Sequence, residues 1–352
     1  MSDESGSDTG SVAGRFALTG VGDIVAAIPH LLGFHVRDSA VLVVVDDRDT
    51  IVVTLRADLP EPRNFRRLAD ELFASLRHHP GVKTIIAVVV GDDGRSATEG
   101  PFLPLATRME DNARHLGVGI VVVGVPAIAA GVRWFRYGIV GVDGPVPDPD
   151  GSLLHVVAAV NGNVTRAGRG ELAGLVRPDP VAERDRRAAM LADALDSALR
   201  DAGTFRSRES ARRRFQAVDR EVTRAADRAE GLTDDLVVEL GIALSDRRVR
   251  DWCAQFALGG SAPAAERLWQ ELARKLPAPV SAEAATLAAI SAYVRGDGTL
   301  ARIAVDSAMR AAGERHRLGQ LIAHAIETGM PPEQMRALCE AGRRAHRDFL
   351  DG

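Results

Sequence analysis

The stretch "IPHLLGFHVRDSAVLVVVDD", residues 28–47, decides how the first half of the chain folds. A glycine, two histidines, an arginine, an aspartate and a serine stand directly ahead of an unbroken apolar run that ends on two aspartates. The run from Ala40 to Val45 has no polar alternation, so it reads as a strand buried on both faces. What precedes it is either a loop delivering reactive groups or the bend needed to enter that strand. Ser39 follows Asp38 and lies close in sequence to His30 and His35, so a Ser/His/Asp grouping has to be weighed. No G-x-S-x-G elbow surrounds the serine, and a short polar residue ahead of a buried strand has an adequate role as a turn former. The bend is the stronger reading, and Ser39 is kept only as a catalytic candidate.

Working outward, Asp23 opens a helix with Ile24, Ala27, Ile28, Leu31 and Leu32 on one side, and Gly33 ends it. A short strand is expected ahead of it at Phe16–Thr19. Downstream, "DDRD" makes a tight turn and "TIVVTLRADLP" returns as a hairpin partner. An amphipathic helix over 62–78, the buried strand "TIIAVVVG", a helix over 103–116, the strand "GIVVVGV" and the edge strand "VRWFRYG" follow. Strands preceded by helices imply parallel neighbours, and the hairpin makes the sheet mixed. The fold class is therefore an α/β mixed sheet in a three-layer N-terminal domain, followed by an all-α domain of helical hairpins that look tetratricopeptide-like.

The character changes near residue 180. The boundaries read from the sequence are a disordered tail over 1–14, the α/β domain over 15–180, a charged helical connector over 181–232 and the helical-hairpin domain over 233–352. The connector carries "ARRRF", yet its arginines are matched by acids, which favours a salt-bridged helix over a nucleic-acid surface. Thr233, Ser261 and Ser281 stand where helices should begin. In "VRGDGTL", Gly296 sits where a left-handed residue terminates a helix and Asp297 where a side chain caps the next one.

The net charge of −4 argues against a nucleic-acid binder that works by overall charge. All but two of the 44 basic residues are arginine, Lys83 and Lys275 excepted, which reads as compositional bias. Cys253 and Cys339 are far apart with no CxxC partner, so neither a disulfide framework nor a cysteine zinc site is indicated. No signal peptide and no apolar run of membrane-spanning length occurs, so a cytoplasmic protein with no membrane contact is expected. No phosphate loop, dinucleotide fingerprint or HExxH motif is present, and no cofactor is expected.

Two constellations carry whatever chemistry the α/β half has. Asp46, Asp47, Asp92 and Asp93 lie where apolar strands end. If those strands are adjacent and parallel, their carboxylates meet at one sheet edge and two or more of them hold Mg²⁺ for phosphoryl chemistry. Arg56 and Asp58 share a face of the return strand and form either a structural pair or a ligand clamp.

Several stretches together are similar to one family, the actinobacterial proteins grouped as domain of unknown function DUF4192. They are "LTGVGDIVAAIPHLLGFHVRDSAVLVVV", "LRADLP", "RWFRYG", "PDPDGS" and "AAISAYVRGDGTLARIAVDSAM". The resemblance runs from about residue 16 to 330 and marks Gly33, Phe34, Ser39, Arg56, Asp58, Trp134, Tyr137, Gly296 and Asp297. Arg56, Asp58, Trp134 and Tyr137 stand as the binding candidates. His35-Val36 replaces a proline common in the family, and the cysteine some members carry after the tryptophan strand is missing. The resemblance implies ancestry and fold and brings no activity with it. The sequence is thus expected to encode a non-catalytic interaction or regulatory protein that binds a protein partner through its helical domain. The alternative is a metal-dependent hydrolase or nuclease using the strand-end aspartates.

Overall fold

The apolar run becomes β1 (Ser39–Asp46), whose residues from Ser39 to Val44 are shielded from solvent on both faces. Each of its buried valines and leucines contributes roughly 1.5–3 kcal/mol relative to exposure, an upper figure given residual burial in the unfolded chain. The bend ahead of it is made at Asp38, whose φ of +42° lies in the left-handed region. This computed structural model describes residues 20–76, 81–92, 97–151, 165–200, 202–225, 228 and 230–351. The expected tail over 1–14 and the expected strand at Phe16–Thr19 lie outside the described residues.

By internal contacts the chain divides into two compact units. One comprises residues 1–28, 37–70 and 81–158, and the other 29–36, 71–80 and 159–352. The first holds a six-stranded mixed sheet in the order β2-β1-β3-β4-β5-β6. Its remaining strands are β2 (Ile51–Asp58), β3 (Val82–Val90), β4 (Gly119–Val125), β5 (Arg133–Arg136) and β6 (Asp143–Pro145). Helices α1 (Val21–Leu32), α2 (Phe65–Leu76) and α3 (Leu103–Leu116) are interleaved with them along the chain. β1 runs antiparallel to both β2 and β3, so the α2 crossover joins two parallel strands with β1 between them. β3 and β4 are the parallel neighbours, joined by α3. The condition under which the strand-end aspartates would meet, β1 and β3 adjacent and parallel, is therefore not met: the two are adjacent but antiparallel. The hairpin turn at 47–50 reverses β1 before the crossover begins, so the next strand inserted beside β1 opposes it.

At the far edge, Gly124 of β4 faces Phe135 of β5. A Cβ at Gly124 would stand 2.3 Å from Phe135 Cζ, so the ring lies across bare backbone. That ring in turn meets Tyr137 edge-on, with centroids 5.1 Å apart.

The second unit is helical: α4 (Arg169–Gly174), α5 (Val181–Leu199), α6 (Ala202–Arg206), α7 (Arg208–Arg224), α8 (Asp234–Ser245), α9 (Arg247–Cys253), α10 (Ala262–Lys275), α11 (Ser281–Arg295), α12 (Gly298–Ala312), α13 (Arg317–Glu327) and α14 (Pro332–Asp351). The residues expected to form a separate connector, 181–232, fall within it. α7 packs on α8, α9 and α10 and buries Phe215, Val218 and Val222, which gives the charged sequence an apolar face to dock. Thr233 caps α8 as expected, its side chain accepting from the Leu236 amide, whereas Ser281 is the first residue of α11 rather than its cap.

Hairpins α10–α11 and α11–α12 are the closest packed helix pairs. The unit does not, however, show a simple stack in which each helix touches only its sequence neighbours. α11 also meets α8, α13, α14 and the short turn Ala254–Ala257, and it buries residues around its whole circumference. Its alanines at 282, 284, 285, 288, 289 and 292 let those helices approach closely. The tetratricopeptide likeness therefore stops at the local hairpins.

Replacing Gly124 with alanine is expected to displace Phe135 and, through it, Tyr137. The cost should be ~1–3 kcal/mol, as for other overpacked sites. A urea denaturation midpoint unchanged from that of the parent protein would contradict this packing.

Candidate functional site

Within the helical unit, the end of α1, the segment before α4, helix α10 and the α11–α12 turn enclose a cavity of about 430 Å³. That size is in the range of small-ligand and side-chain pockets, roughly 300–1,000 Å³. Its walls combine leucines, among them Leu31, Leu172 and Leu300, with a set of charged groups.

The α11–α12 turn is built as the sequence "RGDG" demands. Gly296 has φ +93° and ends α11, and Asp297 Oδ1 accepts the Leu300 amide at 2.8 Å to cap α12. A β-branched side chain at Gly296 would be strained, and a cap at Asp297 satisfies a donor the helix otherwise leaves orphaned. On the opposite wall Gly33 ends α1 with φ +76°, and a Cβ there would lie 3.5 Å from Asp297 Oδ2.

Between these glycines the charges interlock. Arg295 donates Nε to Glu266 Oε2 at 3.0 Å and a terminal nitrogen to Glu266 Oε1 at 2.8 Å, a bidentate pair. It also reaches Asp297 Oδ2 at 3.2 Å, while Gln270 Nε2 donates to Glu266 Oε1 at 2.9 Å. Burial pushes the Asp297 carboxyl above the ordinary aspartate range, even though Arg295 and the Leu300 amide pull it down. Arg166 is held from both sides by backbone: its amide donates to the Gly33 carbonyl and its carbonyl accepts from His35, each at 2.9 Å. Its side chain reaches Glu171 at 3.2 Å. Arg267 lies exposed on α10 and donates to the Ala225 carbonyl at 3.2 Å. His30 Nδ1 is 2.8 Å from Thr165 Oγ1.

The residues expected to act in the α/β unit have internal partners instead. Ser39 Oγ donates to the Arg37 carbonyl at 2.6 Å and accepts from Arg56 Nε at 2.9 Å, so it holds a strand edge. Arg56 also pairs with Asp58, whose carboxylate is largely exposed while the Arg56 side chain is mostly shielded. Asp46 Oδ1 accepts the amides of Arg48 and Thr50, an Asx-type turn at the hairpin. Asp92 is buried and accepts the Tyr137 hydroxyl; burial, then the Asp92 carboxylate, pushes that phenol's pKa far up. Trp134 lies over Gly144 and Gly22, where added Cβ atoms would meet its indole at 3.1 and 3.2 Å.

Asp46 and Asp92 do not meet. Asp46 pairs with Val82 at one end of β3, and Ser39 pairs with Val90, beside Asp92, at the other. At ~3.3 Å per residue the two aspartates stand about 30 Å apart along the sheet. Asp93 lies outside the described residues.

Among the cavity residues, Gly33, Gly296 and Asp297 were legible as turn formers. Arg166, Glu266, Arg267, Gln270 and Arg295 were not singled out. Glu266 and Gln270 are four apart on one helix face, which was a usable signal, and Arg295 immediately precedes the recognised turn. Nothing local marks Arg166.

A family model described as a domain of unknown function, DUF4192, matches residues 22–333. No curated protein and no solved structure matches the chain.

Asp297→Asn preserves the cap and removes the buried charge, whereas Asp297→Ala loses both. The alanine variant should lose about 1 kcal/mol at neutral pH and the asparagine variant much less. Because the folded carboxyl titrates above its unfolded value, its contribution is complete below about 3.8 and is lost as pH rises through the raised value. The wild-type protein should therefore gain on Asp297→Asn as pH falls from 7. Melting curves showing the opposite trend would overturn the assignment.

Proposed function

We propose that this chain, which belongs to the DUF4192 family, is a non-catalytic binding protein that engages a protein partner through the cavity of its helical unit. The single observation that carries the reading is the Glu266–Arg295–Asp297 network. These groups are locked by one another and by a helix cap, as a recognition surface requires, rather than left poised for proton transfer or attack. The same pattern holds in the α/β unit, where Ser39, Arg56, Asp92 and Tyr137 each have internal partners. The hydrolase alternative loses its motive, since the shared metal needs ligands from aspartates that the antiparallel β1–β3 pairing holds apart.

Among the described residues no helix is long and apolar enough to cross a membrane. Both cysteines are free and buried, which suits a reducing compartment, and the reading places the protein in the cytoplasm.

The test is affinity purification from cells of the source organism with the full chain as bait, alongside an Arg166→Glu/Arg267→Glu double variant shown to melt as the parent does. A defined protein retained by the parent and lost with the variant is the expected outcome. Identical retention by both would remove the cavity from partner recognition.

A further inference from the structure

We propose that the cavity is a receptor for an oxyanion carried on a short apolar stem, with the guanidinium groups of Arg166 and Arg267 gripping a carboxylate or phosphate head. The proposal rests on the partner-binding reading above and specifies the group the partner inserts.

The charges in the wall decide the sign of the ligand. Glu266 and Asp297 are the acids lining the cavity, and both are saturated from within. Glu266 receives two N–H groups of Arg295 and one of Gln270; Asp297 receives Arg295 and the Leu300 amide. Arg295 is spent on those two acids. The two remaining arginines are not. A guanidinium carries five donors. Among the described residues, Arg166 commits one terminal nitrogen to the half-exposed Glu171, and Arg267 commits one to a backbone carbonyl. Most of both forks remains for a ligand, and planar forks match carboxylate and phosphate oxygens in pairs.

Preorganisation favours the same conclusion. Arg166 is pinned on both sides of its backbone by the Gly33–His35 segment, and Arg267 projects from a four-turn helix, so neither main chain needs ordering when the anion arrives.

The size of the cavity adds the stem. About 430 Å³ is far more than a bare phosphate or acetate fills, and Leu31, Leu172, Leu175 and Leu300 supply apolar wall beside the arginines. An anionic head with a few methylenes behind it uses both surfaces, because each methylene taken out of water favours the bound state. In a protein partner, a glutamate, a phosphorylated residue or a chain terminus flanked by apolar side chains has this character.

The experiment titrates the full chain at low ionic strength with acetate, hexanoate, inorganic phosphate and butyl phosphate, with hexanol as the uncharged control, followed by calorimetry. Saturable binding of hexanoate or butyl phosphate below ~10 mM is expected, tighter than acetate or phosphate and absent for hexanol. Which of the two binds tighter separates carboxylate from phosphate as the preferred head. Arg166→Gln and Arg267→Gln should each weaken the anion by at least about tenfold, while Arg63→Gln on the α/β unit leaves it unchanged. No saturable anion binding, equal binding of hexanol, or equal binding by the arginine variants would overturn the proposal. If the probes fail while the double variant still loses its protein partner, the oxyanion assignment falls and partner recognition stands. If the probes bind and depend on both arginines while partner capture is unaffected, the site is a receptor for a free organic anion and the partner reading falls.

Discussion

A helix buried on every side leaves no face for charge, so the helical unit must put its polar groups at the ends of α11. Twelve of its fifteen residues are buried. Every carbonyl and amide in its middle is satisfied along the helix, and its alanines admit neighbours at short range. What it carries in charge is Glu283 near the start and Arg295 at the finish. Glu283 accepts from Arg250 at 3.0 Å and lies 2.8 Å from His316, which hold its carboxyl below the ordinary glutamate range despite a burial penalty that acts the other way. Arg295 meets Glu266 and Asp297. Acid at the N-terminal end and base at the C-terminal end also follow the helix dipole. The cavity sits where α11 terminates, so the most constrained helix of the unit positions the charged wall of its pocket.

The α/β unit shows how far such reasoning reaches from sequence alone. The unbroken apolar runs of β1 and β3 and the bounds of α3 were legible because burial on both faces leaves a local signature. Strand adjacency was not. The hairpin followed by the α2 crossover makes β3 parallel to β2 and opposed to β1, but no residue within a strand records which side of the hairpin β3 joins. The candidate metal site depended on β1 and β3 being parallel neighbours, and it dissolved when the strands proved antiparallel.

The cavity was partly legible. Gly296 and Asp297 were identified as a turn and a cap because a positive φ and an N-cap each demand a small set of residue types. The same turn places Arg295 beside them. Its partner Glu266 comes from the preceding helix, and Arg166 from about a hundred residues upstream of that, through a short parallel bridge between Phe34 and Arg166. Long-range pairing of this kind carries no local pattern. A run such as "VTRAG" is indistinguishable from a surface loop until its neighbours are known.

The near absence of lysine takes on a different meaning once the contacts are seen. Arg187 is almost fully buried and donates to Asp234, Asp179, Glu183 and the Lys275 carbonyl, while Arg214 pairs with the buried Asp246. A compact ammonium presents three donors from one point and does not span carboxylates arriving from different helices. The planar fork does, and it remains charged when desolvated. Composition alone reads the arginines as bias, but at Arg187 all three guanidinium nitrogens are used. Arg166 and Arg267 depart from that pattern because their internal partners occupy only part of each fork. Both line the cavity, and that surplus of donors is the feature a ligand would complete.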